Sequence, residues 1–156
     1  MRLSYFLTMF EIDFPLYDFS IQQHERGKSI FDIVRKKYVQ ATPEEIVRQY
    51  LIHYLCKEKG YPKSLMAVEM SLKLNNTLRR CDIVIYKESE PILIVECKAP
   101  SVKLNQKVFE QIARYNLVLK VPYLLVSNGN LSYFCTVDIE NKRYDFLDFI
   151  PDYSEL

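Results

Sequence analysis

The sequence predicts a mixed α/β fold of the α+β kind, a central sheet flanked by helices, on three observations. Apolar runs of strand length, bounded by turn residues, alternate with two segments whose apolar residues recur every three or four positions. The unit from Ile92 to Ser127 reads strand, helix, strand, which favours parallel pairing through a right-handed crossover. The chain has 156 residues, 49% apolar and 26% charged, with three glycines, the balance of one globular domain that is nearly continuous structure.

Residues 1–156 are therefore read as a single unit with three regions: an extension and hairpin over 1–40, a core over 41–137, and an acidic C-terminal tail over 138–156. In the first, Tyr17 to Gln23 and Ser29 to Val34 flank a turn at Glu25-Arg26-Gly27-Lys28. Thr42-Pro43-Glu44-Glu45 opens a helix, with Thr42 as N-cap, Pro43 in the first turn and Glu45 at the capping-box position. It runs to about Lys59, presents one apolar face through Ile46, Tyr50 and Tyr54 with Val47 and Leu51 offset, and ends at Gly60 and Pro62. Strands follow at Ala67 to Leu74, Arg80 to Tyr86 and Ile92 to Lys98, with a five-residue turn from Lys87 to Pro91. Leu104 to Leu119 has helical spacing, and strands at Tyr123 to Ser127 and Leu131 to Val137 surround the turn Asn128-Gly129-Asn130.

Several function classes are excluded or ranked low. No apolar run approaches the roughly 20 residues of a bilayer span, and Met1 to Phe10 lacks the features of a signal peptide, so a cytoplasmic location is expected. Cys56, Cys81, Cys97 and Cys135 are widely spaced, and neither His24 nor His53 completes a zinc-finger pattern, so reduced, partly buried thiols are expected. The formal net charge of +1 carries no global signal for nucleic acid, but Lys98 to Lys120 holds five basic residues against Glu110 alone. The clusters Arg35-Lys36-Lys37 and Arg79-Arg80 read first as solvated surface. Chemistry must therefore lean on carboxylates, lysine or a metal.

The apolar run Pro91-Ile92-Leu93-Ile94 ends in Val95-Glu96-Cys97-Lys98-Ala99-Pro100. Strand alternation puts Glu96 and Lys98 on one face and Val95, Cys97 and Ala99 on the other. A turn symmetric about Ser89 sets Tyr86 opposite Ile92, Val84 opposite Ile94 and Asp82 opposite Glu96. Two facing carboxylates repel unless a cation intervenes, and magnesium is commonly held by one or two carboxylates with waters and phosphate oxygens. With Lys98 one step away, the set suits metal-assisted phosphodiester hydrolysis. By spacing alone, the same residues also read as a salt-bridged patch where the sheet meets solvent.

Asp82 followed by Glu96-Cys97-Lys98 resembles the PD-(D/E)XK nuclease signature, with Cys81 in place of its proline. Thr42-Pro43-Glu44-Glu45, Gly60-Tyr61-Pro62, Arg80 to Tyr86, Glu96 to Pro100, Gln111 to Asn116 and Ser127-Asn128-Gly129 together resemble the N-terminal nuclease domain of type I restriction enzyme R subunits, over about residues 30–137. The resemblance implies a restriction-endonuclease-like mixed central sheet flanked by helices and a magnesium-dependent DNA endonuclease, with manganese as a substitute ion. It implies Asp82 and Glu96 as metal ligands and Lys98 as the residue that orients or activates water. Gln111 and Tyr115 match the QxxxY element of the RecB-like branch, one helical turn apart on one face. A first-helix glutamate would assist the metal, Glu45 or alternatively Glu44, and Glu69 is a weaker candidate. Arg79, Arg80, Lys103, Lys107 and Tyr115 form the candidate DNA-binding face.

The implied partners are DNA and a motor or specificity subunit, or a second copy of the chain. The sequence contains no GxxxxGK[ST] phosphate loop, so this chain alone carries no ATP-driven translocation. The alternative from a different class is a non-catalytic nucleic-acid-binding or protein-interaction module that keeps the nuclease fold.

Overall fold

Thr42 and Asn105 start the two helices by the same device. The Thr42 Oγ1 accepts the Glu45 N–H at 3.1 Å and the Asn105 Oδ1 accepts the Lys107 N–H at 3.0 Å, opening α1 (Pro43–Lys57) and α2 (Gln106–Leu119). Past α1, Gly60 adopts φ +69°, and the Tyr61 N–H reaches back to the Leu55 carbonyl at 2.9 Å. The computed structural model describes residues 12–74 and 76–156, apart from the side chains of 72, 74, 77 and 115. Tyr5 and Phe6, which the sequence leaves open between an interface and core packing, lie outside the described residues.

Nine strands form two sheets among the described residues. The strands β1 (Ile21–His24), β2 (Gly27–Asp32) and β3 (Lys37–Gln40) make an antiparallel sheet in that order. The expected hairpin is β1–β2, and β3 was not anticipated, because Arg35-Lys36-Lys37 hides a turn with Lys36 at φ 54°. The larger sheet runs β4 (Met66–Leu74), β5 (Thr77–Lys87), β6 (Glu90–Cys97), β7 (Tyr123–Ser127), β8 (Ser132–Asp138), β9 (Arg143–Leu147). Its pairings are antiparallel except β6–β7, whose parallel register Leu93↔Tyr123 to Cys97↔Ser127 follows from the α2 crossover. The region expected as an acidic tail instead supplies β9, and Tyr153 packs against the core. The acids of that region dominate a reading of composition, while Tyr144, Phe146 and Leu147 carry the weak strand pattern.

The expectation of one apolar face on α1 is corrected to two. Ile46 and Tyr50 pack with Tyr17, Phe19 and Ile30 beneath the small sheet, whereas Val47, Leu51 and Leu55 pack on Ile83, Ile85, Leu93 and Val95 of the large one. The helix is held between two sheets, so both offset stripes are core. On the opposite face of the large sheet, Val108 and Ile112 of α2 pack with Val84, Ile94, Leu124 and Val126.

Two irregularities decide where side chains emerge. The β5–β6 turn is the pair Glu88-Ser89, with φ 49° and 70°, not the five-residue loop expected, so Lys87 pairs with Glu90 and Tyr86 with Pro91 rather than Ile92. A bulge at Ile92 then restores the expected register for Ile85↔Leu93, Val84↔Ile94 and Ile83↔Val95. The second irregularity is Glu69, at φ 55° within β4. Val68 packs in the α1-side core and Met70 in the α2-side core, and across the ladder Ile83 and Cys81 divide the same way. Simple alternation would place each pair of next-nearest residues on one face. Glu69 and Asp82, which fall between the pairs, are unpaired in the β4–β5 ladder.

Gly129, at φ +88° in the β7–β8 turn, sits against α1: an added Cβ would stand 3.1 Å from Val47 Cγ2 and 3.3 Å from Ile12 Cγ1. Gly129→Ala should therefore destabilise the fold by about 1–3 kcal/mol, read as a lowered denaturation midpoint. An unchanged midpoint would show that this turn does not press on the helix.

Candidate active site

Asp82, Glu96, Lys98 and Gln111 meet at the C-terminal end of β6. The β5–β6 ladder ends at Ile83↔Val95, so Asp82 does not form the direct backbone pair with Glu96 that continuous alternation requires. Its Oδ2 accepts the Cys97 N–H at 2.7 Å instead, which keeps it beside Glu96. Lys98 and Glu96 emerge together as expected, with Lys98 Nζ 3.1 Å from Glu96 Oε1. The Gln111 Nε2, from α2, donates to that oxygen at 3.2 Å, and Lys98 Nζ reaches Gln111 Oε1 at 3.4 Å. The parallel pairing fixes the lysine's backbone, because the Lys98 N–H donates to the Ser127 carbonyl at 2.8 Å.

Electrostatics separate the two acids. Glu96 is buried, and its Oε2 has no hydrogen-bond partner. Burial first, and then the neighbouring Asp82 charge, push its carboxyl up to about 8, although Lys98 opposes the shift. Burial would depress the Lys98 ammonium, but Glu96, Asp82 and Glu44 raise it, so the lysine is a cation at neutral pH. Glu44 is itself raised by partial burial and by Asp82, with Arg48 and Lys98 pulling the other way.

Sequence reasoning missed the arginines behind these acids. From α1, Arg48 places Nη2 2.5 Å from Asp82 Oδ1, and its Nη1 forms a short ion pair with Glu45 Oε2. Arg35 spreads over three acids from three elements, Asp32 at 2.5 Å, Glu45 at 2.6 Å and Glu69 at 2.7 Å. The Gln49 Nε2 donates to both Asp32 and Glu45 at 2.9 Å. Arg35 is thus not solvated surface, and Glu45 does not complete a capping box, because its carboxylate is bound by Arg35, Arg48 and Gln49. The missed signal was the row Glu45, Arg48, Gln49, which three- and four-residue spacing puts on one helix face. The other first-turn acid, Glu44, lies 3.5 Å from the Arg48 guanidinium, and its carboxyl feels both Asp82 and Lys98.

Six carboxylates, Asp32, Glu44, Glu45, Glu69, Asp82 and Glu96, thus gather around Arg35, Arg48 and Lys98. Among the described residues, no three His, Cys, Asp or Glu side chains form a ready-made metal cage. Arg79, Arg80, Lys103 and Lys107 are all exposed, and Arg80 lies 3.7 Å from Glu69. Tyr115 lies on α2, and its side chain is outside the described set. The four cysteines are free, and three of them are buried.

The mixed sheet with flanking helices sets the fold class, and likeness to known proteins gives the family. Residues 43–151 match the family described as the type I restriction enzyme R protein N terminus (HSDR_N), and the chain belongs to it. Among solved structures, it is similar to a fragment assigned as the HsdR subunit of a type I restriction enzyme from Vibrio vulnificus YJ016. That match has 19% identity and a TM-score of 0.56, covering 74% of this chain and 24% of that one. The likeness supports the mixed sheet with flanking helices, and this chain spans about a quarter of that fragment's length. No curated protein matches it. Among the described residues, no helix is long and apolar enough to cross a membrane.

The raised Glu96 carboxyl has a pH signature. The folded state holds that proton from the ordinary carboxylate range up to about 8, so this contribution to stability is full at low pH and is lost as pH rises through about 8. Glu96→Gln should melt at or above wild type in metal-free buffer, with the difference widening from pH 5 to pH 9. A lower melting temperature at every pH would show that Glu96 acts as a stabilising salt-bridge acid.

Proposed function

We propose that this chain is a magnesium-dependent DNA endonuclease domain of the PD-(D/E)XK type, working within a restriction system. The observation that carries the reading is the convergence of Asp82, Glu96, Lys98 and Gln111 at one sheet end, with Lys98 Nζ 3.1 Å from Glu96.

The donors fit a hard cation. Asp82 and Glu96 offer oxygen ligands, a carboxylate oxygen retains acceptor capacity beyond one hydrogen bond, and Glu96 Oε2 is a buried acceptor with no partner. Glu44 is the candidate third acid, and Glu45 acts behind it by holding Arg48. A bound magnesium ion, or manganese in its place, would supply Lewis-acid polarisation of the scissile phosphate and of the attacking water. Lys98, as an ammonium, cannot accept a proton: it orients the water and stabilises negative charge as the phosphoryl group is attacked. Gln111 fixes both Lys98 and Glu96 through its amide. The exposed Arg79, Arg80, Lys103 and Lys107, with Tyr115 on α2, are proposed to track the DNA backbone.

Cleavage of plasmid and oligonucleotide DNA with magnesium or manganese tests this. Wild type should cut, Asp82→Ala should be inactive, and Lys98→Ala should lose about 100-fold or more. DNA binding without cleavage in either ion would leave a non-catalytic binding module, for which the Arg48 ion pair already supplies Asp82 with a partner.

A further inference from the structure

Arg48 is the one guanidinium seen to bond Asp82 among the described residues, and its side chain is only 5% exposed. It is also fixed from behind. Its partner Glu45 gives its other oxygen to Arg35 at 2.6 Å and Gln49 at 2.9 Å, and Arg35 and Gln49 are both bound to the fully buried Asp32 of β2. Glu44 and Glu69 lie 3.5 and 3.6 Å from the same guanidinium.

We propose that Arg48 is a resident counter-cation for Asp82, and that it sets how tightly this site takes a divalent cation. The inference rests on the metal-site reading above. Arg48 cannot leave by losing its proton, because a guanidinium stays charged in proteins. Nor is it free to swing away, since the Glu45, Arg35 and Asp32 chain anchors it to the small sheet. A divalent ion on Asp82 must therefore coexist with a fixed positive charge a few ångströms away. At an effective dielectric near 20, a single and a double charge at that separation repel by more than a factor of ten in affinity. In the absence of metal, the same guanidinium relieves the repulsion between Asp82 and its acidic neighbours. Arg48 thus trades metal affinity for stability of the metal-free site.

Calorimetric titration of the metal-free protein with manganese alone reads this directly, without any cleavage assay. Arg48→Gln should bind manganese about tenfold or more tightly than wild type. Arg48→Lys, which keeps the charge, should stay within about threefold of wild type. If Arg48→Gln fails to fold because Glu45 loses its partner, the double variant Glu45→Gln/Arg48→Gln removes both members of the pair and should still bind manganese more tightly than wild type, by a smaller factor, because the guanidinium that touches Asp82 is nearer the ion than the Glu45 charge removed with it. Wild type binding with neutral variants no tighter would overturn the counter-cation role and leave the metal site standing. Absence of manganese binding in every variant would overturn both.

Discussion

Acids brought together at one end of a sheet repel, and the rest of this molecule is organised around making that arrangement stable. Asp82 and Glu96 arrive on adjacent strands, and Glu44, Glu45 and Glu69 arrive from the helix and strand beside them. Arg48 and Arg35 answer from within the protein, and their planar forks let each bind several carboxylates at once. Burying such pairs is costly unless every member is bonded, so the arrangement needs walls on both sides. The small sheet supplies one wall through Asp32 and Arg35. It is therefore a structural part of the candidate site and more than an N-terminal extension. The left-handed backbone at Glu69 serves the same purpose, since it lies where the strands change which core they face and its carboxylate meets Arg35.

Much of this was legible in the sequence, and the parts that were not have physical reasons. Thr42-Pro43 marks a helix start unambiguously, and the strand Tyr123 to Ser127 has the bounds expected of it, because a proline and an Asn-Gly turn frame it. That Asp82, Glu96 and Lys98 gather followed from hairpin register and strand alternation, whereas Gln111 entered through the family resemblance. The turn length was misread, yet the register held, because the Ile92 bulge adds the residue that the shorter turn removes. What stayed hidden was long-range pairing between charges. Arg35 and Arg48 look like ordinary surface basic residues until α1 is seen to be covered on two sides, and neither glycine nor proline flags the backbone reversal at Glu69. The third strand of the small sheet and β9 were missed because charged residues masked their alternation.

Membership of the R-subunit N-terminal family accords with this layout. The family match begins at Pro43, at the start of α1, and runs through β9 to Pro151. It therefore omits β1, β2 and β3, the sheet whose β2–β3 turn carries Arg35. The catalytic candidates all lie inside the matched span, while Asp32 and Arg35 of the charge network that steadies them lie outside it. In this chain the small sheet is tied to the matched core by ion pairs from Arg35 to Glu45 and Glu69 as well as by apolar contact.

The bulge at Ile92 also bears on how such a segment changes over evolutionary time. Substitution at position 92 alters one half-buried side chain within β6. Deletion alters counting: with a two-residue turn and no extra residue, every partner between Asp82 and Cys97 would slip by one, and the side chains of one strand would exchange faces. Asp82 and Glu96 would then belong to different surfaces although both were still encoded. For this stretch, the number of residues between the two acids decides whether they share a surface.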